Sequence, residues 1–272
     1  MYVSLGIFTQ YRRELMGVAT VLILLCHSLL PPAIHCPNDI LRWTIITGNR
    51  GVDIFLFLSG LGMYHSLRKM TKWNRGGVIR WYAKRYRHIL LPYLLICFPY
   101  YLVLGCVNDG HFSISIFLYR LSTLNYWLEH KGFWYIAMLI PLYFLTPFYA
   151  RIIDKTKYQT LLTVTLCIIL LLISTIKIEN NNLFSHVWNN TAFVLQRIPS
   201  YLIGYYMAPS ILKGKKVNLL KLTGIIAGCF LVIKIIFPAN TFWEWLEIYP
   251  IMLVSYLSLI HISEPTRQEA IS

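Results

Sequence analysis

The chain has 272 residues, 57% hydrophobic and 15% aromatic, with only 13% charged and a formal charge of +14. Soluble domains average about 25% charged residues, so this chain cannot cover a water-facing surface. Disordered, collagen-like and ordinary cytosolic chains are excluded. With a mean hydropathy of +0.55 and apolar runs along its whole length, the chain is expected to be all-α, a polytopic integral membrane helical bundle of about eight spans. Six scattered cysteines form no C-x-x-C pair, which argues against a metal site or a disulfide framework. No cleavable signal peptide is expected, because the first run lacks a small-residue cleavage site and more runs follow.

In chain order the apolar runs are Leu15–Leu30, Val52–Leu67, Ile89–Val107, Phe133–Ala150, Tyr158–Ile176, Ala192–Leu212, Leu219–Phe237 and one beginning near Leu246. A helix needs about 20 apolar residues to cross the hydrocarbon core, and most runs qualify with their flanks. Val52–Leu67 is short and holds Ser59-Gly60, which suggests a broken or tilted helix. The more polar stretch Phe112–Trp127 reads as an interfacial helix. With a cytoplasmic N-terminus, seventeen Lys and Arg fall in inner segments and five in outer ones: Arg42, Arg50, Arg120, Lys131 and Lys177. Positive charge collects on the cytoplasmic side of membrane proteins, so the basic balance needs no nucleic acid. Without internal repeats or a long linker, residues 1–256 read as one membrane domain.

Charged groups inside a bilayer cost at least about 2.5–3.5 kcal/mol at mid-helix, so His27, Asp53, Arg197 and Lys234 stand out. His27 interrupts Leu22-Ile-Leu-Leu-Cys-His-Ser, and a neutral imidazole can accept a proton at one nitrogen while the other donates. It reads equally as a base or as a hydrogen-bonding group between helices. Asp53 opens the second run and suits either a helix N-terminus or a site. Lys234 can snorkel and reads as structural. The orientation places His27, Asp53 and Arg197 toward the outer half of the membrane.

Five blocks in order resemble the membrane-bound acyltransferase 3 family of bacterial sugar O-acyltransferases. They are Arg13-Glu-Leu-Met-Gly-Val-Ala leading to His27, Gly48-Asn-Arg-Gly-Val-Asp-Ile-Phe-Leu-Phe-Leu-Ser-Gly-Leu, and Lys84-Arg-Tyr-Arg-His-Ile-Leu-Leu-Pro-Tyr. Phe133-Trp-Tyr-Ile with Leu142-Tyr-Phe-Leu-Thr-Pro follows, and then Arg197-Ile-Pro-Ser-Tyr-Leu-Ile-Gly. The resemblance implies transfer of an acyl group, usually acetyl from acetyl-CoA as co-substrate, to a hydroxyl of a cell-surface carbohydrate. It implies the bacterial cytoplasmic membrane, no tightly bound cofactor, and an essential histidine that maps onto His27. The arginine typical of the family eleven residues earlier is Met16 here, and Arg13 lies nearly one turn before it.

Sugar hydroxyls are poor nucleophiles at neutral pH and need a base within hydrogen-bond reach. His27 is expected to remove that proton or to carry the acyl group itself, and Asp53 to orient the imidazole. Lys84, Arg85 and Arg87 are expected to bind the phosphates of acyl-CoA, although such clusters also serve as topology signals and contacts for lipid headgroups. Ser59, Trp134, Tyr135 and Arg197 are expected to line the acceptor cavity, with an aromatic belt the competing role for Trp134 and Tyr135. The rival reading is a polytopic glycan exporter, which shares the basic loops and intramembrane charges.

The chain after Tyr256 breaks the pattern. Residues 257–272 begin Leu257-Ser-Leu-Ile-His-Ile-Ser-Glu-Pro-Thr-Arg267, the translation of a common transposase-type sequencing adapter, and are expected to be a non-native tail. From Leu246 to Tyr256 is only 11 residues, about 16 Å of helix. With the family's usual ten or so spans, the acyltransferase domain is expected to be incomplete at its C-terminal end.

Overall fold

The computed structural model describes residues 2–28, 45, 47–70, 75–107, 112–179 and 182–218. The seventh and eighth expected spans, Lys234, Cys36, Cys229 and the tail 257–272 lie outside these residues. The described chain is mostly helical and divides into two compact units, the first built from residues up to Leu58 and from Met207 onward, the second from Ser59–Tyr206.

In the first unit a short strand β1 (Tyr2–Ser4) pairs antiparallel with β2 (Lys216–Asn218), Val3 opposite Val217. This ribbon is the one departure from the all-α expectation among the described residues. The turn α1 (Ile7–Gln10) leads into α2 (Arg12–Ser28). A 3₁₀ turn at Thr47–Arg50 then opens α3 (Gly51–Arg68), whose first eight residues belong here. Arg12 Nη2 donates to the Leu58 carbonyl at 3.3 Å, and Phe8 packs on Phe57 with ring centroids 5.1 Å apart.

The helix α3 runs unbroken through Ser59 and Gly60, where the sequence suggests a break. Gly60 serves packing: a Cβ there would collide with the Tyr201 carbonyl and the Tyr205 amide. The missing side chain lets two backbones touch. In the second unit α4 (Arg75–Val107) and α7 (Trp134–Lys155) are the two described helices long and apolar enough to cross a membrane. The 33 residues of α4 span about 50 Å, so its basic first turns extend well past an apolar segment that starts near Ile89. Only 22% of its most apolar window is buried, with Leu95, Ile96 and Val103 among the exposed side chains. A core helix of a soluble protein would be covered; this surface suits lipid.

Tyr82 and Tyr86 of α4 donate to the carbonyls of Phe144 and Ile140 in α7 at 2.8 and 2.9 Å, which sets the antiparallel register. Between them in sequence lie α5 (Ile114–Leu121) and α6 (Leu124–Glu129), split by Thr123 at φ +67°. Both are too short to span, so the stretch read as one interfacial helix is two. Next come α8 (Gln159–Ser174), α9 (Leu183–Leu195) and α10 (Ile198–Leu212). The expected single span Ala192–Leu212 is thus two helices with a turn at Gln196–Arg197. Pro199 falls in the first turn after the break, a position that suits it because it has no N–H to donate back to Leu195. Asn182 caps α9 by a reciprocal box with Ser185, each side chain accepting from the other's amide at 2.8 and 3.2 Å.

Candidate functional site

The last turn of α2 carries His27, and its side chain is exposed. Nδ1 lies 2.8 Å from the carbonyl oxygen of Ile23, one turn earlier. A carbonyl can only accept, so Nδ1 carries the hydrogen and the neutral ring holds its lone pair on Nε2. The helix itself therefore selects the tautomer and presents a basic nitrogen away from its own backbone.

Two glycines bring the start of α3 against this part of α2. A Cβ at Gly48 would strike the Leu22 carbonyl, with Cys26 Cβ 3.5 Å away. One at Gly51 would lie 2.5 Å from the Ala19 oxygen and 2.9 Å from Ile23 Cγ1. Gly48 and Gly51 are three residues apart across the 3₁₀ turn, so both bare α-carbons face α2. Ile23 is shared: its side chain meets Gly51 and its carbonyl holds His27.

Asp53 follows as the third residue of α3, where the helix dipole favours a carboxylate. It is buried at 7% exposure, and its Oδ2 lies 3.8 Å from Nη1 of Arg50, itself 6% exposed. Arg50 is the residue the sequence reading missed, counted there as a charge in an outer loop. The structure buries it against Asp53. The available signal was its position three residues before an acidic residue at a helix start.

Within the second unit, Ser59 and the Tyr143 hydroxyl are hydrogen bonded at 2.7 Å. Tyr143 packs near Tyr201, whose hydroxyl is in turn bonded to Thr146. Arg85 reaches this group, close enough for its charge to act on Tyr201. Arg197, at 1% exposure, sits one helical turn before Tyr201 at the break just before Pro199. Trp134 and Tyr135 open α7, half-buried, with the Trp134 ring edge-on to Phe193 at 5.1 Å. A buried row of hydroxyls thus accompanies Ser59 and Arg85, and sequence patterns give no sign of Tyr143 or Tyr201 as partners.

The basic segment is not one cluster. Lys84 and Arg87 are exposed, whereas Arg85 is half-buried and turned toward α10. Residues 85 and 87 are two apart on a helix and must face different ways. Arg13 is exposed, as is Met16, which stands at the family's arginine position. It is the neighbouring Arg12 that bridges to α3.

The family model for the acyltransferase domain of the acyltransferase 3 family matches residues 15–263. No curated protein and no solved structure gives a significant match. Over nine-tenths of the chain is covered, and the chain belongs to the acyltransferase 3 family.

Proposed function

We propose that this acyltransferase moves an acyl group, acetyl in the first instance, from acyl-CoA to a hydroxyl of a cell-surface or exported carbohydrate. The observation that supports this most is the 2.8 Å contact of His27 Nδ1 with the Ile23 carbonyl, which directs Nε2 away from the helix backbone on an exposed turn. As the sugar oxygen attacks the thioester carbon, its proton passes to Nε2, the C–S bond breaks, and the imidazolium returns the proton to the departing thiolate. In the relay form, Nε2 attacks the thioester itself. The thiolate leaves, and the acyl group passes on to the sugar, whose proton balances the thiolate. Both routes begin at the same lone pair.

Asp53 and Arg50 act as positioning residues in this reading. They fix the start of α3 against the turn that carries His27. Lys84 and Arg87 face the CoA phosphates from the exposed side of α4; Arg85, turned inward, serves the hydroxyl row with Ser59, Trp134, Tyr135 and Arg197 on the acceptor side. The setting we assign is the bacterial inner membrane with a cytoplasmic N-terminus, supported by the charge asymmetry and the exposed apolar face of α4.

The test is transfer of label from acetyl-CoA to endogenous glycan in membranes containing wild type or His27→Ala. The variant is expected to insert normally and to transfer nothing above background. Transfer at a near wild-type rate by the full-length variant would overturn the assignment.

A further inference from the structure

The second unit holds a cavity of about 590 Å³, within the range of about 300–1,000 Å³ seen for small-molecule sites. It is walled by the last turns of α4, by α5 and α6, and by the turn that leads into α7. We infer that this cavity binds a pyranose ring of the acceptor carbohydrate, with Asn125 reading a hydroxyl and Tyr100 and Phe133 supplying the stacking faces. The word acceptor rests on the function proposed above; the recognition of a sugar ring rests on the cavity.

Asn125 carries the argument. It is 5% exposed, yet its Oδ1 has no hydrogen-bond partner in the protein. A buried acceptor left unmade is costly, and a ligand hydroxyl would satisfy it. The amide also bonds the Tyr101 hydroxyl. Gly132 sits over this pair at φ +89°: a Cβ there would lie 2.6 Å from Asn125 Nδ2, 3.0 Å from the Tyr101 oxygen and 3.2 Å from Asn125 Oδ1. Glycine thus answers both the backbone conformation and the lack of room for a Cβ over this pair.

The remaining wall distinguishes ligand classes. Tyr100 and Phe133 meet at 82° with centroids 6.3 Å apart, and both are partly exposed. An aromatic corner of this kind accepts the apolar C–H face of a sugar. Glu129 accepts from the Tyr119 hydroxyl at 2.9 Å and from Lys131 Nζ at 3.0 Å. Those two bonds, Lys131 first, hold its carboxyl below the usual carboxylate range, so it stays an acceptor at neutral pH. The wall holds one carboxylate against two cations, Lys131 and Arg120, so charge alone does not choose the ligand, but a lipid chain would leave Asn125 unsatisfied. A ring with hydroxyls that donate and accept, and an apolar face, fits both Asn125 and the aromatic corner.

The site is also preformed. Asn190 of α9 donates from Nδ2 to the carbonyls of Tyr126 and Trp127, each at 2.9 Å, and its Oδ1 is 2.7 Å from His130 Nδ1. The hydroxyl of Tyr126 returns a bond to the Asn190 carbonyl at 2.9 Å. This clamp fixes the turn from Glu129 to Gly132, in which His130 adopts φ +56°.

The test is saturation-transfer NMR on the full chain in lipid nanodiscs free of sugar-based detergent. The probes are the methyl glycosides of glucose, N-acetylglucosamine, rhamnose and glucuronic acid. At least one is expected to receive saturation in wild type, and Tyr100→Ala and Asn125→Ala are each expected to weaken it about tenfold or more. Tyr100 is half exposed, so its variant stays informative if Asn125→Ala fails to fold. Silence from all four probes, or affinity unchanged by either folded variant, overturns the site. Transfer that depends on His27 without glycoside binding here keeps the proposed function and removes this cavity from it. Glycoside binding without such transfer does the reverse.

Discussion

Replacing Gly51 by alanine probes the contact that sets the His27 turn. The new Cβ would lie 2.5 Å from the Ala19 carbonyl oxygen and 2.9 Å from Ile23 Cγ1, whereas ordinary contact begins near 3.4 Å. The Ala19 oxygen belongs to helix backbone and cannot turn aside, so α2 and the start of α3 must part by about 0.9 Å, the difference between those distances. Overpacking of this kind costs about 1–3 kcal/mol, or a melting midpoint about 2–12 °C lower for a chain of this size. Because Ile23 both meets Gly51 and holds His27, the reacting nitrogen moves too, and a 1 Å misplacement costs about 10²-fold in rate. Gly17→Ala in the same helix is the matched control. Nothing lies within 4 Å of its Cβ, and a helix-interior glycine replaced by alanine gains about 0.5–1 kcal/mol. Tryptophan fluorescence melting and labelled acetyl-CoA turnover report both effects. If Gly51→Ala matches Gly17→Ala in midpoint and turnover, the close contact does not hold the site.

Lys84→Gln combined with Arg87→Gln should weaken acetyl-CoA binding, measured by isothermal titration at two ionic strengths. The contact of these two exposed groups should weaken with added salt, and unchanged affinity would reduce the segment to a topology signal. Arg50→Met leaves Asp53 buried without this cation, and removing one partner of a buried pair costs about 3–5 kcal/mol. It should therefore melt lower than the double variant that also carries Asp53→Leu, and the opposite order would refute the pairing. Asn190→Ala strips two carbonyls of their donor and His130 of its acceptor, at about 1 kcal/mol per bond lost; the expected drop in melting midpoint is about 6–12 °C, and no change would mean the clamp bears no load.

The sequence by itself determined what local periodicity and covalent geometry control. Apolar runs marked α2, α3, α4, α7 and α8, because a helix that faces lipid or core must be apolar over a fixed length. The glycines at 48 and 51 and the histidine at 27 were visible as parts of one ordered set of motifs. Pro199, which follows the break between α9 and α10, was also visible, yet proline is tolerated inside other helices of this chain, at Pro92 and Pro141 for example. Its effect depends on whether neighbours satisfy the freed backbone groups, so the run alone did not reveal the break.

Tertiary structure decided which polar groups meet. Arg50 became the partner of Asp53 only once the 3₁₀ turn folded its side chain inward, and Arg85 parted from Lys84 and Arg87 because successive helix positions point in different directions. The bonds from Asn190 to Tyr126 and Trp127 and from Ser59 to Tyr143 join residues 64, 63 and 84 positions apart. No pattern along the chain records such separations, since each residue type is chemically able to bond many others. The cavity beside Asn125 exists for the same reason: the ends of α4, α5 and α6 meet there, and Gly132, brought over Asn125 by the turn, adds no side chain to fill the space.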